Sequence, residues 1–569
     1  MINFRFSSIT TSDGTITAIP PSGVVVFVGP NNAGKSQALK DLVGHLRNGD
    51  QYLGKTVTGI EASKFGSVDD ALAWASTSLP KSNRDGVNKL TVPGWGEVGP
   101  SDFGNQWARG GPNLGILTDS LVLYADGTTR LTAANAQENL DFRVASPSHP
   151  IQRAYLDPTL EAEFRSVARS AFGLDVAVDR YGGSLISLRV GTRPEFTHNE
   201  GIPSEAYLQG LADMPQLEAQ GDGVRSFIGL MTQLIAGSHK VIMVDEPEAF
   251  LHPPQARLLG RMLAERASDQ QVFLATHSSA ILQGVLEAGA PVTIVRLTRE
   301  ASVNRAATLA DAAVAELWSD PLLRYSNVLE GLFYDAVILC ESDSDCRYYA
   351  AVRDHLFPEG NEGRRRLELL FVQSGGKARL AVVIRALRAV QVPVVVVTDF
   401  DMLRVEGDVK RTYEALEGDW AGVASQRKLV ADALAADSKP LRKVPLADAL
   451  ADKFSSLPEI LSTKDVEVLR SILKAETGWD KVKRSGISGV PQGDPFRNAE
   501  ELITELAKNY LLVVPVGELE RFVPSVAGHG PGWVTAVLEK RLHLTPSPEA
   551  ENFVSAIEAT ALSASGANF

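Results

Sequence analysis

The chain has 569 residues, of which 44% are hydrophobic and 22% charged, so it is too long for one core and too apolar for a disordered protein. We expect roughly two to four globular domains. The formal net charge of −13 argues against nonspecific coating of nucleic acid, because such binding depends on neutralising phosphates. A local basic groove is compatible with this charge, since carboxylates that hold divalent metals add negative residues of their own.

Cysteine content and apolar runs indicate the compartment. Only two cysteines, Cys340 and Cys346, are present, which fits a reducing cytoplasm and excludes a disulfide framework or a Cys-rich zinc site. No apolar stretch approaches the roughly 18–20 residues that span a bilayer. Met1 to Phe6 lacks a basic region followed by an apolar one. We therefore expect a cytoplasmic protein without a membrane partner.

A glycine-rich loop follows the apolar run Val24 to Val28. It reads Gly29-Pro30-Asn31-Asn32-Ala33-Gly34-Lys35-Ser36, and a helix is expected from Gln37 to Leu46. This is the GxxxxGK[ST] pattern between a strand and a helix, so Lys35 is expected to reach the β and γ oxygens of ATP and Ser36 to ligate Mg²⁺. The expected nucleotide-binding residues of the loop are Gly29, Asn31, Asn32, Ala33, Gly34, Lys35 and Ser36.

The next part of the chain has weaker periodicity. Residues 80–115 are rich in Gly, Pro and Trp, which predicts an irregular insertion. Ser120 to Ala133 alternates around Asp126-Gly127, which predicts a hairpin. Leu160 to Phe172 is expected to be an amphipathic helix and Leu185 to Val190 a strand.

Two later strands end in functional side chains. Val241 to Val244 precedes Asp245-Glu246, and Val272 to Thr276 precedes His277. Such strands, alternating with helices, indicate a mostly parallel sheet with its functional groups at the carboxyl edge. Asp245-Glu246 is a Walker B arrangement, in which Asp245 holds the Mg²⁺ shell and Glu246 polarises the attacking water. His277 is expected to contact the γ-phosphate.

A second glycine-rich turn, Gly221-Asp222-Gly223, precedes the helix Val224 to Ala236. It is either an anion site at a helix N-terminus or a structural turn. The order of the ATPase motifs resembles ATP-binding-cassette (ABC) ATPases of the DNA-repair type. In that group the turn contacts ATP on the opposite protomer, which implies that Gly223 binds nucleotide, although Leu-Ser-Gly-Gly-Gln is absent here.

Acidic pairs follow three strands in the second half of the chain. Glu341 and Asp345 follow Ala336 to Cys340 and would share one face of a helix starting there. Extended backbone would point Asp399 and Asp401, after Val392 to Thr398, the same way, and likewise Glu518 and Glu520 after Tyr510 to Val516. Oxygen ligands alone indicate Mg²⁺ or Mn²⁺, and two such ions can clamp a phosphodiester. Taken singly, each pair could be a solvated surface feature.

Glu341…Asp345 followed by Asp399-Phe400-Asp401 resembles the Toprim signature. A repair-type ATPase joined to a Toprim unit is similar to the OLD (overcoming lysogenization defect) family of ATP-dependent endonucleases, which includes the Gabija nuclease. The resemblance implies metal-dependent nicking or cutting of DNA, a homodimer or higher homo-oligomer, a candidate helicase partner, and a role in phage defence or DNA processing. It also implies a basic residue that stabilises the transition state, for which Lys540 fits best and Lys377 is the alternative.

The expected fold is therefore α/β: an ABC/RecF-like P-loop ATPase domain with an inserted segment, followed by a Rossmann-like Toprim domain with a helical insertion. The ATPase domain is expected over 1–315, with an insertion at about 50–215 that is a candidate dimerisation element. The Toprim domain is expected over 330–525, with its helical insertion at about 407–509, and 526–569 extends it. Two alternatives stay open: a Toprim topoisomerase or primase, and a non-cleaving ATPase scaffold or sensor with a degenerate Toprim domain.

Overall fold

The computed structural model describes residues 2–84, 87–143, 146–199, 202–301, 303–319, 327–358, 366–437, 442–473 and 477–566. The chain divides into two compact units, residues 1–324 and 325–569. No helix in the described ranges is long and apolar enough to cross a membrane.

The first unit alternates strands and helices along most of its length. Its strands are β1 Asn3–Thr11, β2 Ile16–Ala18, β3 Gly23–Val28, β4 Val57–Phe65, β5 Lys81–Arg84, β6 Val87–Val92, β7 Gly96–Val98, β8 Val122–Ala125, β9 Gln137–Glu138, β10 Asp175–Asp179, β11 Leu185–Gly191, β12 His198–Asn199, β13 Ile202–Pro203, β14 Val241–Asp245, β15 Gln271–Ala275, β16 Val292–Glu300 and β17 Val303–Leu309. Its α-helices are α1 Lys35–Asn48, α2 Val68–Ser78, α3 Pro100–Ala108, α4 Thr118–Leu121, α5 Gly127–Thr132, α6 Pro150–Leu156, α7 Pro158–Phe172, α8 Glu205–Asp213, α9 Asp222–Ala236, α10 Pro253–Glu265, α11 Ser279–Glu287 and α12 Asp311–Ser319.

A six-stranded sheet organises the first unit, in the order β17-β16-β3-β15-β14-β8. The strands from β16 to β8 run parallel, and β17 is antiparallel to β16. The continuous apolar runs of β3, β14 and β15 are buried along their whole length, as expected for central strands covered on both faces. The carboxyl ends of β3, β14 and β15 therefore lie at one edge of the sheet.

Two sequence predictions in the first unit are wrong. The alternation from Ser120 to Ala133 does not form a hairpin, because β8 pairs in parallel with β14 and the Asp126 side chain caps helix α5 by accepting the Thr129 N–H at 2.8 Å. Residues 80–115 are not irregular: β5, β6 and β7 form an antiparallel sheet, and Pro100 starts helix α3. Asp-Gly and Pro favour turns and helix starts equally well, so local composition did not distinguish them.

The second unit is built on a four-stranded parallel sheet in the order β19-β18-β20-β21. Its strands are β18 Ala336–Cys340, β19 Leu369–Gln373, β20 Val394–Thr398 and β21 Leu511–Val513. Its α-helices are α13 Asp343–Leu356, α14 Leu380–Ala389, α15 Glu406–Ala415, α16 Trp420–Ala436, α17 Lys443–Ser455, α18 Thr463–Ile472, α19 Gly478–Ser485, α20 Asp494–Lys508, α21 Gly530–Glu539 and α22 Pro548–Ser565.

The helices α15 to α20 are inserted between the neighbouring strands β20 and β21. Helix α13 packs instead on α21 and α22, where Tyr348 and Tyr349 contact Phe522, Trp533 and Phe553. This aromatic layer is part of the core of the second unit. It fixes α13, and with it the loop that follows β18, against the sheet.

Candidate functional site

The phosphate loop joins β3 to α1 and requires glycine at two positions. Gly29 has φ of 140° and a Cβ there would lie 2.1 Å from the Leu297 carbonyl oxygen. Gly34 has φ of 90°, and a Cβ would lie 2.6 Å from Thr56 Oγ1. Both are conformations and spaces that only glycine fits. The loop therefore holds the N-terminus of α1 open toward its interior, which is the arrangement that binds phosphates.

The other loop residues complete this wrap. Lys35 Nζ donates to the carbonyl oxygens of Gly29 and Pro30 at 2.8 and 2.9 Å. Asn32, with φ of 64°, turns the exposed tip beside Asn31. The buried Ala33 carbonyl accepts a 2.7 Å hydrogen bond from Asn304 Nδ2. Lys35 thus links two points of the loop. Phosphate oxygens of ATP could replace these two carbonyl oxygens as acceptors of its N–H groups.

Asp245 is the last residue of β14, and one strand, β15, separates β14 from β3 in the sheet. Burial raises the pKa of this carboxyl, and a hydrogen bond from the Ser36 hydroxyl opposes the rise. Its Oδ1 is buried and has no hydrogen-bond partner in the part of the chain that the structure describes. The Ser36 hydroxyl and the Asp245 carboxylate are oxygen ligands of the kind that Mg²⁺ prefers, so this pair fits the Mg²⁺ that accompanies ATP.

His277 follows β15 and is held by a carboxylate that the sequence did not indicate. The His277 backbone N–H donates to Glu248 Oε1 at 2.8 Å, and its Nδ1 lies 3.1 Å from the same oxygen. Glu248 is buried, whereas the His277 side chain is 55% exposed. The contact fixes the ring with Nε2 on the side away from Glu248.

Gly223 lies in the first turn of α9, and a Cβ there would lie 2.6 Å from the Phe250 carbonyl oxygen. Phe250 belongs to the loop that follows Glu246. The structure therefore gives Gly223 a packing reason for being glycine, and its contact with nucleotide stays a prediction.

In the second unit, four carboxylates and one lysine meet at the carboxyl edge of the sheet. Glu341 follows β18, and its Oε1 accepts the backbone N–H of Asp399, which follows β20, at 3.1 Å. Lys377, after β19, pairs with Asp401 and lies 3.7 Å from Glu341 Oε2. Asp345 Oδ2 accepts the backbone N–H of Ser342 at 2.8 Å, in a capping box at the start of α13.

The charges of this cluster are strongly coupled. Burial raises the pKa of Glu341 to about 7, with further increases from Asp401 and Asp345 and an opposing effect of Lys377. Burial and the neighbouring carboxylates raise the pKa of Asp399 well above its ordinary value. Burial also raises the pKa of Asp345, to which the charge of Glu520 contributes. Lys377 alone does not neutralise this set.

Backbone geometry differs from the predicted extended pairs. Helix α13 begins only at Asp343, so Glu341 and Asp345 do not share a helix face, and Asp401 and Glu520 lie in 3₁₀ helices, Phe400–Arg404 and Leu519–Phe522. Asp399 still interacts with Asp401. The Glu518–Glu520 pair splits, because a 3₁₀ turn rotates successive side chains apart.

Glu518 makes its ion pairs outside the cluster, and Lys540 follows helix α21. Glu518 pairs with Arg521 at 2.9 Å and with Lys483 at 3.8 Å, whereas Glu520 Oε1 accepts the Gly530 N–H at the start of α21. Lys540 follows the other end of α21, and a ten-residue helix is about 15 Å long. Lys377 therefore contacts these carboxylates in the structure, and a role for Lys540 stays a prediction.

The oxygen-only donor set fits a hard cation. No three His, Cys, Asp or Glu side chains are gathered closely enough to hold an ion within the ranges described above. The ammonium group of Lys377 lies between Asp401 and Glu341, where it is a counter-ion for both carboxylates.

Comparison with protein families assigns both parts of the chain. Residues 194–283 match the family described as “AAA domain, putative AbiEii toxin, Type IV TA system”, and residues 332–401 match “Overcoming lysogenization defect protein-like, TOPRIM domain”. The chain has the ATPase–Toprim architecture of the OLD family. This confirms the resemblance and the α/β fold class that the sequence predicted. No curated protein matches the chain significantly.

Solved structures similar to this OLD-like chain match over about half of it. They include an Smc head bound to the C-winged helix domain of ScpA (11% identity, 54% of this chain and 97% of that one, TM-score 0.32). The SMC head domain from Thermotoga maritima gives 13% identity, 54% and 97% coverage, and a TM-score of 0.26. The cbiO1 subunit of the cbiONQ ABC transporter complex from Clostridium perfringens has 12% identity and a TM-score of 0.25, and the match covers 52% of this chain and 83% of that one.

Two residues near the Walker B segment of the ATPase domain were not identified from the sequence alone. Glu248 lies two positions after Glu246, and this acidic repeat beside Walker B could have been read as a partner for His277. Arg130 donates to the carbonyl oxygens of Asp245 and Glu246 from helix α5. No sequence signal marks it, because it belongs to no motif and lies more than a hundred positions away.

Proposed function

We propose that this protein is an ATP-hydrolysing, divalent-metal-dependent DNA endonuclease of the OLD type. The observation that carries the proposal is the meeting of Glu341, Asp399 and Asp401 around Lys377 in an OLD-like Toprim domain. Buried carboxylates in mutual repulsion are costly for a fold, and they are retained where they bind cations. The same chain carries a complete phosphate loop opposite a Walker B strand.

In the ATPase domain, we assign each side chain one role. Lys35 exchanges its carbonyl partners for the β and γ oxygens of ATP, and Ser36 with Asp245 holds Mg²⁺. Glu246 accepts a proton from the attacking water. His277, oriented by Glu248, donates a hydrogen bond to the γ-phosphate through Nε2.

In the Toprim domain, Glu341, Asp345, Asp399, Asp401 and Glu520 are the proposed metal ligands. Bound Mg²⁺ or Mn²⁺ supplies a Lewis acid that activates water and stabilises the leaving oxygen of a phosphodiester.

Lys377 is the basic residue that we assign to the scissile phosphate, in preference to Lys540. It already lies among the carboxylates, and its ammonium group becomes available to a phosphate oxygen when Asp401 changes partner. Glu518, paired with Arg521 and Lys483, is left out of the ligand set.

The family supports further parts of the proposal. DNA is the proposed substrate, and the protein acts as a homodimer or higher homo-oligomer, in which Gly223 contacts ATP bound to the opposite protomer. Phage defence in the cytoplasm, with a helicase as partner protein, is the biological setting that we propose from the OLD-like architecture.

A paired assay tests the proposal. Plasmid nicking in Mg²⁺ or Mn²⁺ and phosphate release from ATP are measured on the same preparations of wild type, Asp399→Ala and Lys35→Ala. Asp399→Ala should lose nicking by orders of magnitude and keep ATP hydrolysis, since it removes a metal ligand. Lys35→Ala should do the reverse. Glu518→Ala is the matched control, an acid near the site that should keep both activities. Normal nicking by Asp399→Ala would refute the metal assignment.

A second candidate function, a non-cleaving ATPase sensor, is favoured by one observation. Lys377 holds the place between Glu341 and Asp401 where a cation would sit. If the lysine occupies the site permanently, wild type binds ATP but cleaves no form of DNA in either metal. Nicking by wild type that disappears in Asp399→Ala excludes this alternative.

A further inference from the structure

The loop after Walker B is held in an unusual backbone conformation. Glu246 has φ of 47° and Phe250 has φ of 70°, and both values lie in the left-handed region that side chains other than glycine seldom adopt. Such a conformation costs on the order of 1–3 kcal/mol and persists only where surrounding contacts enforce it. The Glu246 N–H donates to the Ala275 carbonyl at 2.8 Å, which accounts for one side of the loop.

Arg130 holds the other side of the loop after Walker B. Its side chain is fully buried, with Nη1 donating to the Asp245 carbonyl at 2.6 Å and Nη2 to the Glu246 carbonyl at 2.9 Å. Its Nε donates to Ser226 Oγ on α9 at 2.9 Å. All three hydrogen-bond acceptors are neutral, and the charges of nearby carboxylates, Glu248 and Asp245 among them, stabilise the buried cation. The fork geometry of the guanidinium is what this site uses.

Helix α9 is fitted closely to both partners of this contact. A Cβ on Gly229 would lie 2.2 Å from the Arg130 carbonyl oxygen, and one on Gly223 would lie 2.6 Å from the Phe250 carbonyl oxygen. Helix α9 therefore touches α5 and the loop from Glu246 to Phe250 directly through backbone. A shift of α9 would be felt at Glu246 through Arg130.

We propose that Arg130 is a positioning residue for ATP hydrolysis, which holds the backbone of Asp245 and Glu246 in the conformation that catalysis requires and ties it to helix α9 through Ser226. The inference rests on the proposed ATPase function and deepens it. Arg130 does not touch the nucleotide in this assignment; it acts through Glu246.

The test compares Arg130→Lys with Arg427→Lys in the intact 569-residue chain. Arg427 is a matched control, because it is also buried and donates to two adjacent backbone carbonyls, those of Leu403 and Arg404, at 3.0 and 2.6 Å. Lysine keeps the positive charge but lacks the paired N–H donors of the guanidinium group. We expect Arg130→Lys to lower kcat for ATP by about 10- to 100-fold, as a displacement of roughly 1 Å at a catalytic group does. Binding of a fluorescent ATP analogue should stay close to wild type, and Arg427→Lys should keep kcat for ATP.

A double mutant separates positioning from general loss of structure. Arg130→Lys should slow hydrolysis no further in a Glu246→Gln background, since both changes disable the same group. Ser226→Ala, which removes one acceptor, should lower kcat in the same direction by less, and it provides the test if Arg130→Lys does not fold. If Glu246→Gln is slow but Arg130→Lys or Ser226→Ala has the kcat of wild type, the role of Arg130 is refuted and the Walker B assignment stands. Wild-type kcat in Glu246→Gln would overturn the Walker B assignment, and this inference with it.

Discussion

At the scale of single residues, Lys377 decides the state of the Toprim cluster. It pairs with Asp401, lies 3.7 Å from Glu341, and is partly buried with them. Carboxylates brought together without a cation repel one another, so this lysine acts as an internal counter-ion. A divalent ion entering the cluster must compete with a tethered ammonium group.

We predict that Lys377→Met tightens metal binding while it destabilises the metal-free protein. The apparent Kd for Mn²⁺ should fall about tenfold or more, equivalent to about 1.4 kcal/mol, because the competing charge is gone. Calorimetric titration with Mn²⁺ and thermal unfolding without metal measure the two effects. Lys483→Met, next to Glu518 outside the cluster, is the control and should change neither. Weaker Mn²⁺ binding by Lys377→Met would mean that the lysine supports the metal site.

Glu341 should make stability depend on pH. Its pKa rises from an ordinary 4.5 to about 7 on folding, mainly through burial. The folded state thus binds more protons than the unfolded state between these values, and the contribution of Glu341 to stability is present below pH 4.5 and lost as pH rises through 7.

The measurement for this prediction is urea unfolding without metal at pH 5 and pH 8. Wild type should lose on the order of 2 kcal/mol more than Glu341→Gln between the two values, because the amide cannot ionise. An equal change in both proteins would contradict the raised pKa. Glu549→Gln, an exposed acid in α22, serves as the control and should follow wild type.

At the scale of elements, helices α10 and α11 are in backbone contact. A Cβ on Gly260 would lie 2.3 Å from the Ile281 carbonyl oxygen, and one on Gly284 would lie 1.9 Å from the Arg257 carbonyl oxygen. Each helix thus presents a glycine to the other. Because α10 follows the Walker B loop and α11 follows His277, this contact sets the spacing of both functional segments.

We predict that Gly284→Ala destabilises the protein by about 1–3 kcal/mol, since the added methyl group meets backbone that cannot rotate away. Chemical denaturation monitored by circular dichroism measures the change, and ATP turnover should fall with it. Gly532→Ala is the control: this helical glycine has open space around it, and alanine there should stabilise by roughly 0.5–1 kcal/mol. Equal effects of the two substitutions would refute the close contact.

The sequence predicted those elements whose pattern is local. The strand–loop–helix around Lys35 follows from apolar runs and spacing, as do the helical insertion and the strands that end at or just before Asp245, Glu341 and Asp399. The hairpin at Asp126-Gly127 was wrong because the same dipeptide can cap a helix.

Contacts between residues far apart in the chain could not be predicted from the sequence. Arg130 meets Asp245 across more than a hundred residues. The separation of Glu518 from Glu520 depends on a 3₁₀ turn that only packing of the Leu519–Phe522 segment against the core could select. Likewise, the contacts of Lys377 with Asp401 and Glu341 depend on how the loop after β19 packs at the sheet edge.

At the scale of the whole molecule, the two proposed activities use separate stretches of chain. The ATP-site residues lie between Gly29 and His277, within the first compact unit, and the carboxylates between Glu341 and Glu520 lie within the second. Each unit has its own sheet and core. Substitutions at one site should therefore leave the other assembled, which is why the paired assay is informative.

The sheet of the second unit pairs β20 with β21 across a long insertion, so we predict that it tolerates a break in the chain within that insertion. Val396 pairs with Leu511 across β20 and β21, and a Cβ on Gly478 of α19 would lie 2.2 Å from the Leu434 carbonyl oxygen of α16. Strand pairing and helix packing thus both connect the two sides of any break between α17 and α18.

A protein expressed as two pieces, residues 1–458 and 459–569, should therefore reassemble. We expect the fragments to co-elute after affinity purification of either one, with Mn²⁺ binding intact, and Leu511→Asp in the second fragment should abolish co-elution by placing a charge in the buried pairing. Separate elution of the unmodified fragments would show that the insertion must be continuous. Reassembly at this point would allow Mn²⁺ binding by the second unit to be controlled through the association of its two pieces.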